Sequence, residues 1–283
     1  MTVVAQGSGR IEAVPRPKSV FQRNLNLTVE LAITAFKLKY TGSALGYVWS
    51  LVKPLMLFGI MYLVFSVLLG VGKGNDPGYI NFPVQLLIGI VVWTFFVEST
   101  TLAMNAVAGA SDLIRKAYFP RWILVVASTG SALLTFAINT LLVVVVTLLL
   151  GQLHLSWRSL LAPVYYVELA VLVLGLSLLL SALFVFFRDL GHIWEILSLV
   201  LFYASAVVFP FSRIPVRFRD LGGLNPVAQI LLDLRHALVD PRIPSMGQTI
   251  GPLIIVPILL TVGVLVLGLV VFNWLTPKFA EAL

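Results

Sequence analysis

The sequence predicts an all-α polytopic membrane protein with six transmembrane helices, and three observations carry that prediction. Of 283 residues, 59% are hydrophobic and only 11% are charged, less than half the roughly 25% charge of soluble domains. Mean hydropathy is +1.02. The apolar residues also gather into six runs, each near the roughly 20 residues a helix needs to cross a bilayer at about 1.5 Å per residue. The same figures exclude a water-soluble enzyme, a nucleic-acid module and a disordered chain.

In chain order, residues 1–24 read as a flexible tail (GSGRIEAVPRPKS within it) without the apolar core of a signal peptide, so the first span does the targeting. Residues 25–43 read as an interfacial amphipathic helix: Leu25, Val29, Ala32, Ile33 and Phe36 share one face, and the helix ends in Lys37, Lys39 and Tyr40. A transmembrane domain over 44–275 holds spans at 47–70, 82–105, 123–150, 161–187, 190–211 and 250–274, and 276–283 is a cytoplasmic tail. Only a polar turn, Arg188-Asp189-Leu190-Gly191-His192, divides the fourth and fifth spans. Pro257, inside the last span, predicts a kink. Between spans two and three, 106–120 reads as a short polar helix that Ser111 caps and Pro120 ends. Between spans five and six, 212–249 is too polar to span, and 230–239 reads as an amphipathic helix after Asn225-Pro226.

Net charge is +7, which in such a chain speaks of topology and acidic lipid. Arg10, Arg16, Lys18, Arg23, Lys37, Lys39, Arg115, Lys116, Arg121, Arg188 and Lys278 fall on one side, against Lys73 and Arg158 in the short loops opposite. Both termini therefore read as cytoplasmic. Arg213, Arg217, Arg219, Arg235 and Arg242 sit on the outer side against that rule; the first three are candidates for an outer gate.

Chemistry-bearing motifs are sparse. The run Gly70-Val71-Gly72-Lys73-Gly74 lacks the spacing of a phosphate-binding loop, so ATP is not bound by that motif. There is no cysteine, and His154, His192 and His236 are far apart, so no metal cluster is expected. Ionisable residues inside spans are Lys53, Glu98, Glu168 and Glu195. Thr94, Glu98, Thr101 and Asn105 line one face of span two, and Ser128, Ser131, Thr135 and Asn139 one face of span three. A water-lined path and inter-helix hydrogen bonding both fit these stripes. Tyr47, Trp49, Phe58, Tyr62 and Phe65, then Trp93, Phe95 and Phe96, fit a smooth aromatic lining for a sliding sugar chain, and equally a lipid-facing belt. Tyr47, Trp49, Phe58, Trp93 and Glu98 are the channel-lining candidates.

Four motifs carry a resemblance. Residues 36–50 (FKLKYTGSALGYVWS) followed by Lys53-Pro54-Leu55, then Tyr118-Phe119-Pro120-Arg121, Phe187-Arg188-Asp189-Leu190 and Asn225-Pro226, keep their order and spacing over roughly 25–275. Together they resemble the ABC-2 type permeases, closest to the polysaccharide exporters of O-antigen, capsule, teichoic acid and galactan. Trp122 stands where members commonly carry an acidic residue, and no second proline follows. The resemblance implies a homodimer of six-span subunits with a channel between them, in the bacterial cytoplasmic membrane. It implies a separate ABC ATPase dimer that binds ATP and Mg, and no catalytic residue, cofactor or nucleic-acid partner in this chain. The coupling helix to the ATPase maps onto 106–118, with Ser111, Asp112, Leu113, Arg115 and Lys116 as contacts. Short helices between spans five and six would gate the outer exit. The implied substrate is a polysaccharide on an undecaprenyl-type lipid pyrophosphate, whose head group Lys37, Lys39 and Tyr40 are placed to meet at the inner entrance; general anionic-lipid binding suits these residues equally. The alternatives are an ABC-2 exporter of a drug or lipid, and a membrane-embedded glycan-processing enzyme drawing on Asp189, Glu195, Asp220, Asp233 and Asp240.

Overall fold

The computed structural model describes residues 19–71, 77–111, 119–149 and 157–279. Asp112, Leu113, Arg115 and Lys116 lie outside the described residues.

The first helix, α1 (Val20–Tyr40), starts five residues before its expected boundary because a capping box nucleates it. Ser19 Oγ accepts from the Gln22 N–H at 3.2 Å, and the Gln22 side chain accepts from the Ser19 N–H at 3.3 Å. It lies along α4 (Trp122–Leu149). The expected single apolar face is divided in two. Ala32 turns inward with Thr28, and Ala32 Cβ is only 3.2 Å from where a side chain on Gly130 of α4 would begin. Leu25, Val29 and Ile33 remain 50%, 49% and 41% exposed, a surface suited to lipid. Helices in lipid gain little from apolar burial against one another, so a small residue at the crossing and an apolar outer stripe are the physical solution.

Among the described residues, five helical segments are long and apolar enough to cross a membrane: Gly46–Leu68, Phe82–Gly109, Trp122–Leu149, Trp157–Phe186 and Met246–Lys278. The first contains α2 (Trp49–Tyr62), which widens into a π-helical turn over Leu63–Leu68. The second is α3 (Phe82–Gly109), the third α4, and the fourth ends in α5 (Ala162–Phe186). The fifth expected span, 190–211, is not one continuous helix. Instead α6 (Leu190–Ala204) runs 15 residues and stops. Ala206 then takes φ +51, and Ser205–Val208 continue as buried, irregular chain. Three short helices follow: α7 (Val216–Gly223), α8 (Pro226–Leu238) and α9 (Met246–Ile250). The final helix, α10 (Ile255–Leu275), shows that the expected kink at Pro257 is misplaced. Pro257 lies in the first turn, where its missing N–H breaks no bond; the chain bends earlier, at Gly251, which adopts φ +59.

The innermost helix is α3, flanked by α4 and α5, and its apolar stretch is 72% buried. Against it α6 presents a thin stripe, Trp194, Ser198 and Phe202, while Ile196, Leu199 and Val200 on its other sides stay exposed. The helix α2 also touches α3 and α4, yet its apolar stretch is only 6% buried. A close crossing joins α5 to α10, where a side-chain carbon on Gly175 would lie 2.5 Å from Leu265 Cα.

Tertiary contacts sort the helix ends into two faces. At the α1 face, Arg121 donates to the Thr276 carbonyl oxygen and places its guanidinium 5.8 Å from the Phe279 ring centre, tying the start of α4 to the end of α10. At the opposite face, Ser159 Oγ donates to the Ala237 carbonyl at 2.9 Å, and Arg213 Nε donates to Tyr79 Oη.

Candidate functional site

Two constellations gather the predicted residues, one at each face. At the α1 face the last turn of α1 meets the middle of α3. Lys39 Nζ donates to Glu98 Oε1, closing an ion pair across 59 residues of sequence. Burial pulls the Lys39 ammonium down, but its hydrogen bond and charge pairing with Glu98, with Tyr40 close by, outweigh it and leave its pKa above the ordinary lysine value. Tyr40 is buried, with ring centres of Phe36 and Tyr47 at 5.6 and 5.4 Å, and Phe36 stacks on Tyr47 at 5.3 Å. Lys37 remains exposed beside this cluster. The structure thus joins Lys39, Tyr40, Tyr47 and Glu98, and leaves Lys37 facing outward.

The remaining channel-lining candidates separate. Phe58 stacks on Tyr62 at 5.8 Å along sparsely covered α2, with half-buried Trp49 at its start. Trp93 is 92% buried, its ring centre 5.2 Å from Phe96 and 5.5 Å from Phe202, so within this chain it packs α3 against α6. Of the polar stripes, Ser131, Thr135 and Asn139 are buried among neighbouring helices, as inter-helix packing requires. Thr101 and Asn105 are exposed, and Asn105 Nδ2 donates to the Thr101 carbonyl at 2.9 Å.

At the opposite face the break in α6 is held by two side chains from the following segment. Arg235 is completely enclosed and donates to the Ala206 and Val207 carbonyls at 3.1 and 2.8 Å. Those carbonyls lie just past the end of α6, where the helix dipole favours positive charge. Burial lowers the Arg235 pKa to about 10, which still leaves it charged at neutral pH. Asn225 Oδ1 accepts from the Val227 N–H at 3.0 Å, capping α8, and its Nδ2 donates to Ser205 Oγ at 2.9 Å. The Asn225-Pro226 motif therefore starts one helix while it fastens the end of another.

The other arginines between spans five and six also find local partners. Arg213 is anchored on Tyr79, 5.2 Å from the ring centre, and Arg219 donates to the Ser212 and Ile214 carbonyls at 3.2 and 3.4 Å. Arg217 is exposed over the Phe218 ring at 4.6 Å, and Arg242 pairs with Asp240 at 2.9 Å.

One polar connection escapes the sequence reading. The helix α8 was expected to be amphipathic, but Val227, Gln229, Leu232, Asp233 and Arg235 are all buried, so its polar side is internal. Gln229 Nε2 donates to Asp233 Oδ2 at 2.9 Å and to Glu168 Oε2 of α5 at 3.3 Å, while Asp233 Oδ1 accepts from the Met246 N–H at 2.8 Å. Burial raises the Asp233 pKa, and the bonds from Gln229 and Met246 work against that rise. The i, i+4 spacing of Gln229 and Asp233 was readable; Glu168, 61 residues before Gln229, was not. Asp233 and Asp240, two of the acids considered for catalysis, are engaged in these structural contacts. Among the described residues, no group of three or more His, Cys, Asp or Glu is arranged to hold a metal ion.

Comparison with known proteins decides the family. The model of the ABC-2 type transporter family matches residues 27–238, three quarters of the chain, from α1 through α8. This chain belongs to the ABC-2 type transporters. It is similar to an O-antigen export system permease protein RfbA of Klebsiella pneumoniae, 28% identical over 91% of this chain and 95% of that protein. The protein of the same name from Myxococcus xanthus is 29% identical over 77% of this chain and 82% of its own length. The polysialic acid transport protein KpsM of Escherichia coli is 23% identical over 80% of this chain and 86% of its own. As an ABC-2 permease the chain is a membrane transport subunit rather than an enzyme.

Proposed function

We propose that this ABC-2 permease exports a lipid-linked polysaccharide, of the undecaprenyl-pyrophosphate type, across the bacterial cytoplasmic membrane, driven by a separate ABC ATPase dimer. The observation that carries the reading is the nearly full-length similarity to O-antigen export permeases, 91% of this chain against 95% of the relative. In this reading the α1 face is cytoplasmic. The helix α6 and the irregular stretch after it, reaching Arg213 beside Tyr79, together make the fifth of six crossings. A second copy of the chain covers the exposed sides of α2 and α6, and the two copies enclose the path for the glycan. That assignment is supported by the 6% burial of the α2 stretch and the exposed Ile196, Leu199 and Val200 of α6.

On the cytoplasmic side, Ser111, Asp112, Leu113, Arg115 and Lys116 receive the movement of the ATPase. Exposed Lys37 meets the pyrophosphate, and Lys39, held by Glu98, fixes the end of α1 beside it. Co-purification with the ATPase encoded alongside, followed by ATP-hydrolysis assays with lipid-linked glycan, tests the reading. Export predicts a stable complex whose hydrolysis rises with substrate, and cells without the chain that retain lipid-linked glycan inside. Unchanged surface glycan in such cells would instead favour a drug or lipid as cargo.

A further inference from the structure

The side chain of Gln229 on α8 bridges two carboxylates. Its Nε2 donates to Asp233 Oδ2 at 2.9 Å and to Glu168 Oε2 of α5 at 3.3 Å, which uses both amide hydrogens. The remaining oxygens of the bridged pair, Glu168 Oε1 and Gln229 Oε1, are each buried with no hydrogen-bond partner among the described residues. Both are acceptors, and an ionised carboxylate has no hydrogen to offer either of them. One added proton satisfies both. On Glu168 Oε1 it makes a hydroxyl that donates to Gln229 Oε1, and with the existing N–H···O bond this is the two-bond ring a carboxylic acid forms with an amide. Asp233 has no such place, since Oδ1 accepts from the Met246 N–H and Oδ2 from Gln229.

The surroundings favour a neutral group. Glu168 is half-buried and, with Gln229 and Asp233, lines a cavity of about 520 Å³ whose other lining residues include exposed Val164, Val167 and Ile258. No Lys, Arg or His is among its described lining residues, and a carboxylate taken out of water without a cation is costly. The titratable groups that face Glu168 are Asp233, which His236 also meets, and Tyr165 on α5 itself. The helices α4, α9 and α10 carry no ionisable residue, and Glu98 of α3 is paired with Lys39. Arg158, just before α5, lies over the Trp157 ring, and Gly191 of α6 approaches α5 at Phe184, about four turns of helix away.

We infer that Glu168 is a proton-binding site: at neutral pH it carries a proton on Oε1 and donates it to Gln229 Oε1, and the resulting ring fastens α8 to α5. The site belongs to the fold and does not depend on the identity of the cargo. Because α8 also carries Arg235, which holds the end of α6, the proton on Glu168 sets how firmly that latch is seated on α5.

Infrared spectroscopy of the full-length permease in lipid bilayers reads the proton directly, because the C=O stretch of a neutral carboxylic acid stands apart from the bands of a carboxylate. At neutral pH the wild-type chain shows such a band. It shifts when glutamate is labelled with carbon-13 at its carboxyl carbon, which excludes Asp233 as the source, and it is missing from Glu168→Gln. Should Glu168→Gln fail to fold, single glutamine replacements of the other five glutamates make the assignment, since the band survives each of them. In Gln229→Met the acid loses its acceptor and the band moves to higher frequency. Hydrogen exchange reads the fastening: amides of 226–238 exchange about tenfold faster in Glu168→Ala, and at the wild-type rate in Glu168→Gln, whose amide closes the same ring. A wild-type chain without the labelled band overturns the inference, because a water then donates to both oxygens beside an ionised acid. So does a labelled band that survives Glu168→Gln, or one that Gln229→Met leaves in place. Exchange as slow in Glu168→Ala as in the wild type overturns the fastening of α8. The export reading is tested separately by surface glycan and survives any of these failures.

Discussion

The crossing of α5 and α10 gives a quantitative test of the packing. A Cβ on Gly175 would sit 2.5 Å from Leu265 Cα, 2.6 Å from Leu265 N and 2.9 Å from Val264 C, where ordinary contact begins at 3.4 Å. All three obstacles are backbone atoms, so no rotamer change relieves them, and the helices must part by about 1 Å. Overpacking of this kind costs up to about 3 kcal/mol, and a gap of that size forfeits a quarter to a half of each dispersion contact along the seam. Alanine is the better helix former by about 1 kcal/mol, so Gly175→Ala should destabilise by about 2 kcal/mol net. Gly268→Ala, whose Cβ would overlap the Gly175 carbonyl oxygen, should behave alike. The same helix supplies the control: a Cβ on Gly263 meets nothing within 4 Å, so Gly263→Ala should gain about 1 kcal/mol. Thermal unfolding of the purified permease in detergent reads both, at about 2–4 °C per kcal/mol: a fall of about 4–8 °C for Gly175→Ala against a rise of about 2–4 °C for Gly263→Ala. If the two variants shift the midpoint equally, close approach of the backbones is not what holds α5 to α10, and the reasoning fails.

Other outcomes follow from the same contacts. In Gly89→Ala the new Cβ would lie 2.8 Å from the Val207 carbonyl oxygen and 3.0 Å from the Arg235 guanidinium, so the variant should loosen the α6 break; faster proteolysis after residues 205–213 measures it. A double-mutant cycle on Lys39→Ala and Glu98→Gln should return a coupling of about 0.5–1 kcal/mol, since both side chains keep some solvent contact, and zero coupling would mean that the pair does not anchor α1. Asp233, with its folded pKa raised above the unfolded value, stabilises the fold through its neutral form below the unfolded pKa, and that contribution is lost as pH rises through the folded pKa. The melting-temperature advantage of Asp233→Asn should therefore be larger at pH 8 than at pH 4; a constant difference would remove burial as the cause. Replacing Lys37 and Lys39 with neutral residues should lower substrate-stimulated ATP hydrolysis more than basal hydrolysis in the complex with the ATPase, and equal loss of both would argue against a head-group role.

The long spans were legible because bilayer thickness is a length requirement, and the segments that contain α2, α3, α4, α5 and α10 meet it with long, predominantly apolar runs. The break in α6 was not legible. Residues 205–208 read Ser-Ala-Val-Val, with neither glycine nor proline to announce a left-handed residue at Ala206. What stabilises that conformation comes from Arg235 and Asn225, 28 and 20 residues away from their partners Val207 and Ser205. In α1 the periodicity located the helix but could not tell the side that meets lipid from the side that meets α4, because Leu25 and Ala32 count alike as apolar. Glu98 reads from sequence as an intramembrane acid in need of a partner and Lys39 as a cation near the interface; only the packing of α1 against the transmembrane helices brings them together. Conversely, Pro257 gave a true composition signal but at the wrong step, since helix starts tolerate proline and the bend belongs to Gly251.

The guanidinium of Arg235 makes the two ends of the molecule mechanically dependent. Its grip on Ala206 and Val207 lets α6 act as a stiff rod of about 22 Å, from Leu190 near the Arg188-Asp189 corner to a terminus fastened onto α8. A shove at that corner either drags α8 along or strands two carbonyls and a cation in a dry interior. The second outcome is the costlier, so unlatching one end of the permease entails displacing the other.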